Sequence, residues 1–233
     1  MQADLEIVVK HEVPLIITSL GAVSELIQSV HGYGGLVFHD VIMKRLAQKA
    51  AAAGIDGLTL VSAGAGGHAG TINPIALVGE IRSFFDKTIL LAGCISTGQD
   101  VAAALQMGAD LAYTGTRFIN TTESEALPEY KQMIIESSAS DVIYTAAISG
   151  VPANFLRPSL EQMGITEEMW KKTVDVDFGN ELIANDEAKA WKTIWSAGQG
   201  ITKIGDSPKT SILVARLRKE FKIAIEIQSK LLA

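Results

Sequence analysis

The stretch Val61-Ser-Ala-Gly-Ala-Gly-Gly-His-Ala-Gly70 sets glycines at 64, 66, 67 and 70 around one titratable side chain, His68. Glycine lets a backbone approach a ligand closely and adopt positive φ. Histidine is the side chain whose ordinary pKa lies nearest neutrality. The pairing suits a flat or phosphorylated ligand with a proton donor or acceptor beside it; a turn carrying a backbone-bonded histidine would look the same. A second glycine-bearing stretch, Leu91-Ala-Gly-Cys-Ile-Ser-Thr-Gly98, runs into Thr97-Gly-Gln-Asp100, which has capping-box spacing. Its backbone N–H groups, with a helix N-terminus behind them, make a natural phosphate site. In a third, Tyr113-Thr-Gly-Thr-Arg-Phe118, Gly115 allows close approach and Thr116 supplies a hydroxyl.

Other residues are less telling. Cys94 occupies a tight loop that needs a small residue, and nothing in the sequence supplies the base a thiol nucleophile requires. His39 and Asp40 close an apolar run within reach of a ligand and fit a structural role equally. Arg117 suits either fixing a loop or steering an anion, and His11 and His31 read as surface helix residues. No cluster has metal-ligand spacing, and neither G-x-S-x-G nor a P-loop occurs.

These residues need elements to hold them. Pro14–Thr18, Gly35–Phe38, Gly57–Val61, Thr88–Ala92 and Leu111–Thr114 are short and nearly all apolar, as strands buried on both faces of a parallel sheet are. Helical stretches are expected between them, roughly over 21–31, 41–53, 74–85 and 97–107. Such alternation marks βαβ units. Asn73-Pro74 reads as a cap followed by proline at the first helical position. Ala53-Gly-Ile-Asp56 and Met107-Gly-Ala-Asp110 form a weak internal repeat. Every strand ends in residues with chemical potential: Ser19 and Gly21, His39 and Asp40, Ser62 to His68, Gly93 to Ser96, Gly115 to Arg117. Parallel α/β folds bind ligands at those ends, and paired glycine loops after the last two strands match the phosphate site of many (β/α)8 barrels. Beyond residue 118 the alternation stops. Glu123–Ser138 reads as a helix, Ser149–Leu156 as an irregular excursion, and the segment from Ser207 as a packed helix.

The chain has 233 residues, of which 48% are hydrophobic, enough for a sizeable core. Its net charge of −6 and lack of a basic stripe argue against nucleic acid as a partner. One cysteine excludes an internal disulfide and fits a reducing compartment. No signal peptide is visible, and no apolar run reaches the roughly 20 residues that span a bilayer. The expectation is a cytoplasmic protein without nucleic-acid or membrane partners, with homo-oligomerisation open.

Four phrases, Ala65-Gly-Gly-His-Ala-Gly70, Ala92-Gly-Cys-Ile-Ser-Thr-Gly98, Gly115-Thr-Arg-Phe118 and Ser196-Ala-Gly-Gln199, make the chain resemble the nitronate monooxygenase (2-nitropropane dioxygenase) family in order and spacing. That family consists of FMN-dependent TIM barrels related to the flavin-containing enoyl-acyl-carrier-protein reductases. The resemblance implies FMN as cofactor, a nitronate and O2 as substrates, and a carbonyl compound and nitrite as products. It makes His68 the catalytic histidine, bonding the nitro group or acting as base on a neutral nitroalkane. Gly66 and Gly67 would let backbone approach the FMN, Gly93, Cys94, Gly115 and Thr116 would hold its phosphate, and Gln199 would lie near the ring. Departures include Cys94 where the family commonly has glycine, and no Gln-Gly and glutamate ahead of the histidine phrase. The five strands resemble the fourth to eighth of an α/β (β/α)8 TIM barrel. By that resemblance the chain is expected to be N-terminally incomplete, or a fragment needing a partner chain. Residues 1–122 would carry the FMN site, and 123–233 a helical excursion and C-terminal helices packed on the barrel. The rival activities are an NAD(P)H-dependent enoyl-thioester reductase and an inactive flavin-binding remnant.

Overall fold

The computed structural model describes residues 2–19, 24–172 and 194–232. Helix α1 (Gln2–Lys10) precedes β1 (Leu15–Thr18), α2 (Ser24–His31), β2 (Leu36–Val41), α3 (Lys44–Ala52), β3 (Gly57–Val61), β4 (Gly67–His68), α4 (Pro74–Arg82), β5 (Thr88–Ala92), α5 (Gly98–Gln106) and β6 (Leu111–Tyr113). Strands β1, β2, β3, β5 and β6 form, in that order, one parallel sheet. The fold is α/β of the (β/α)8 TIM-barrel type, with these strands as its described staves. Gly21 and the start of the helix expected over 21–31 lie outside the described residues.

Successive side chains of a strand face opposite ways, and here the two faces differ. Val37, Val41, Leu58, Leu60, Ile89 and Leu91 are buried against Ile27, Val30, Ala47, Ala50, Leu77, Val78 and Ile81 of the covering helices. On the other face Leu15, Ile17, Leu36, Leu111 and Tyr113 are 40–52% exposed. The face turned from the helices is therefore partly open, and it carries Asp40 and Thr59, paired in register across β2 and β3.

The internal repeat has a physical basis. Gly54 and Gly108 end α3 and α5 at φ +96° and +104°, which glycine adopts freely. Two residues on, Asp56 donates its N–H to Val37 O (2.8 Å), and its Oδ2 accepts Val37 N–H (2.8 Å). Asp110 does the same to Ile89, at 2.9 and 2.8 Å. Each carboxylate thereby clamps its strand to the preceding strand of the chain.

After β6 come α6 (Thr116–Ile119), α7 (Pro128–Glu136), β7 (Val142–Thr145), β8 (Ala153–Leu156), α8 (Arg157–Gln162), α9 (Glu167–Trp170) and α10 (Thr210–Ser229). Helix α7 starts at Pro128, later than the expected Glu123, because proline suits the first helical position and lacks the N–H needed further in. The segment read as irregular over 149–156 is corrected in its second half. Fully buried β8 pairs antiparallel with β7 on one side and with β4 on the other. Ala-Asn-Phe-Leu has no alternation to betray a strand, because both its faces are covered. This small sheet joins residues from both sides of position 122. Helix α10 packs on α5 so closely that a Cβ at Gly98 would lie 2.1 Å from Leu217 O. Among the described residues no helix is long and apolar enough to cross a membrane, and no cluster of His, Cys, Asp or Glu could hold a metal.

Candidate active site

Two clefts open at the carboxyl ends of the parallel strands. One, of about 470 Å³, is lined by glycines from four loops, the fourth supplying Gly198 and Gly200. Gly66, Gly67, His68, Gly93, Cys94, Gly115 and Thr116, far apart in sequence, all line it. The exposed Gln199 does not line it; its backbone N–H donates to Gly64 O at 2.8 Å, and its side chain sits at the cleft's edge against Gly64. The second cleft, of about 420 Å³, has a largely apolar wall that includes Met43, Leu46 and Val151, with Arg45 and Lys49 from α3. Asp40, Val61 and His68 line both.

The histidine loop is braced from the second half of the chain. Gly67 N–H donates to Ser196 Oγ (2.7 Å), which donates onward to Asn154 O (2.6 Å). Asn154 Nδ2 donates to Ala65 O (2.6 Å), and Tyr144 OH to Ala69 O (2.9 Å). Tyr130 donates its hydroxyl to Ser196 O and stacks on Trp195 with ring centroids 5.0 Å apart. Burial pushes the Tyr130 phenol up to about 12, so it remains a protonated strut. Sequence reasoning missed Asn154, Tyr130 and Tyr144, whose roles depend on chain segments that only folding brings together. Ser196 stood within a matched phrase, but only the neighbouring Gln199 drew attention.

Crowding requires glycine at some of these positions and not at others. A Cβ at Gly66 would meet Gly198 N at 2.9 Å, and one at Gly93 would meet Ser62 Oγ at 2.4 Å. At Gly115 a Cβ would touch nothing and project into open space. Cys94 has φ +58°, the left-handed region that favours glycine. Burial, with Asp100 adding to it, pushes its thiol up, which opposes a nucleophilic role. At the start of α5, Asp100 Oδ2 accepts Ser96 N–H (3.0 Å) and Thr97 N–H (2.9 Å), and Glu220 Oε2 accepts Gly98 N–H (2.8 Å). Those donors are thus committed within the protein. Ser96 Oγ, by contrast, is buried on this cleft with no hydrogen-bond partner among the described residues.

The residues left open by the sequence now separate. Arg117 is 2% exposed and binds Asn120 O (3.1 Å), Asp206 O (3.2 Å) and Asp206 Oδ1 (2.7 Å), so it fixes the loop. His39 Nδ1 lies 2.7 Å from Thr18 Oγ1, and burial together with Lys49 pushes the imidazole down. His31 pairs with Asp56 at 2.8 Å. Asp40 makes no comparable bond: its Oδ1 is buried without a partner among the described residues. Burial raises its carboxyl above the ordinary range, opposed in part by the neighbouring Thr59 hydroxyl.

The chain matches the nitronate monooxygenase family model over residues 1–220. It is 32% identical over 190 residues to a nitronate monooxygenase of Paraburkholderia phytofirmans, covering 75% of this chain and 51% of that protein. The chain spans about half the length of the curated relatives it matches. A nitroalkane oxidase from Streptomyces ansochromogenes superposes with a TM-score of 0.78 at 26% identity, over 97% of this chain and 69% of that one. FabK from Thermotoga maritima gives 0.78 at 24%, over 97% and 74%, a likeness of fold. This chain belongs to the nitronate monooxygenase family.

Proposed function

We propose that the chain carries the flavin and reaction site of a nitronate monooxygenase, oxidising alkyl nitronates with O2 to a carbonyl compound and nitrite. The observation that carries this is the convergence of the His68 loop with three further glycine loops on one cleft. The residues fit an FMN. Ser96 Oγ is a buried hydroxyl with no other partner among the described residues, Gly115 leaves open space, and Gly66 and Gly67 bare the backbone. With Ser96, Thr97 and Gly98 N–H committed, the phosphate would fall to Gly93, Cys94, Gly115 and Thr116. Bound flavin would supply the electron acceptor and the oxygen chemistry. His68 would donate to the nitro oxygens, and Gln199 would border the ring from the cleft's edge. Residues 1–122 would hold the cofactor, with 123–233 bracing it, in a cytoplasmic enzyme.

The test is the absorbance spectrum of the purified chain, followed by oxygen uptake with ethyl nitronate. Flavin absorbance and uptake are expected. Gly115→Leu should abolish flavin retention, and unchanged flavin content in that variant would refute the phosphate assignment. His68→Ala should slow nitronate oxidation on the order of 10²–10³, as loss of one positioned donor does. NADPH consumption with a crotonyl thioester, without oxygen uptake on nitronate, would turn the reading to enoyl reduction.

A further inference from the structure

We propose that Asp40 is the base that takes the Cα proton of a neutral nitroalkane in this site, while His68 holds the nitro group. This rests on the nitronate reading above and adds to it an entry route from the neutral compound. Asp40 and His68 are the two titratable side chains that line both clefts among the described residues. Asp40 stands on the sheet face turned from the helices, in register with Thr59.

Its surroundings differ from those of five other aspartates. Asp56, Asp100, Asp110 and Asp141 each accept a backbone N–H, and Asp206 is held by Arg117 and Arg216. All five are pulled below the ordinary carboxylate range. Asp40 has no such donor, and its Oδ1 is buried unpartnered among the described residues. A carboxylate that lacks backbone and cationic donors and is partly desolvated is a stronger base. Its pKa moves accordingly upward, alone among these aspartates.

In the step, a carboxylate oxygen of Asp40 takes the proton, and the C–H electron pair becomes the second bond of C=N. The nitro oxygens take up the negative charge, where His68 donates a hydrogen bond. Arg45 and Lys49, lining the same cleft, favour the anion that results. No oxidant is needed for this step.

Exchange of the Cα hydrogens of nitroethane in D2O, followed by proton NMR, therefore reads the base without flavin turnover. The wild-type chain should accelerate exchange over buffer, and Asp40→Asn should lose on the order of 10²-fold or more. In oxygen uptake the same variant should lose far more with nitroethane than with ethyl nitronate. Wild-type exchange in a folded Asp40→Asn chain would overturn the proposal. Should that variant not fold, His68→Asn decides. Its exchange should be slower but keep the acid-side midpoint of the wild type, since that midpoint belongs to Asp40. His39, His68, Arg45, Lys49 and Tyr144 are the other titratable or charged groups facing this cleft, and a midpoint lost with His68 would make the histidine the base. Exchange without nitronate oxidation in the wild type would remove the functional reading and leave the base standing.

Discussion

At Cys94 two residue-scale demands compete. The loop needs a left-handed backbone, and a non-glycine residue there carries strain of roughly 1–2 kcal/mol. Glycine would relieve it but would add about 0.4–1 kcal/mol of unfolded-chain entropy. Cys94→Gly is therefore expected to leave thermal stability unchanged or raise it by less than about 1 kcal/mol. Cys94→Val, with a branched side chain at the same φ, should destabilise. Differential scanning calorimetry of the two variants reads the difference, and a clear loss in the glycine variant would show that Sγ, rather than the backbone, holds the loop. Cys94 thus keeps a backbone conformation that glycine adopts freely.

At the scale of elements, the repeated Gly-x-Asp turns do the same task twice. The Asp56 carboxyl is raised by burial, but the Val37 N–H and His31 outweigh that and hold it below its ordinary 3.8. Asp110 is likewise raised by burial and pulled down more strongly by the Ile89 N–H and Arg82. Because each folded value lies below the unfolded one, each contributes stability that is fully present above about pH 3.8 and is lost as the pH falls through the lower folded value. Asp56→Asn should cost about 1–3 kcal/mol, the penalty for a spoiled bond to a largely buried backbone donor. Asp110 is half exposed, and its substitution should cost less. Denaturant melts from pH 3 to 7 test both points: stability of the Asp56→Asn chain should fall less between neutral and acid pH than that of the wild type. An equal acid loss in both chains would remove Asp56 from the account.

Over the whole molecule, the parallel sheet has one face sealed by helices and one partly open. Leu58 is fully buried on the sealed face, whereas Leu36 and Leu111 are about half exposed on the other. Leu58→Ala should cost about 2–5 kcal/mol. Leu111→Ala should stay within about 0.5 kcal/mol, as surface substitutions do. Equilibrium unfolding in urea distinguishes them. Equal losses would mean that in solution the open face is covered as well as the sealed one.

The sequence by itself determined the parallel strands, the helices between them and the loops at their ends. Apolar runs, caps and helix-ending glycines are local signals, governed by sterics and hydrogen bonding within a few residues. Those signals also singled out His68 and the glycines of the main cleft, because close approach and proton transfer restrict the residue types allowed. What only the tertiary structure decided was partnership over long separations. Ser196 and Asn154 brace a loop more than 80 residues earlier in the chain, β8 joins β4 without any alternation to announce it, and Gln199 stops at the rim of the cleft. Arg117 and Asp40 are both charged residues at strand ends, and the sequence leaves both roles open. Folding surrounds Arg117 with acceptors and leaves Asp40 Oδ1 buried without a partner among the described residues, and the environment of a charged group, more than its type, sets its chemistry.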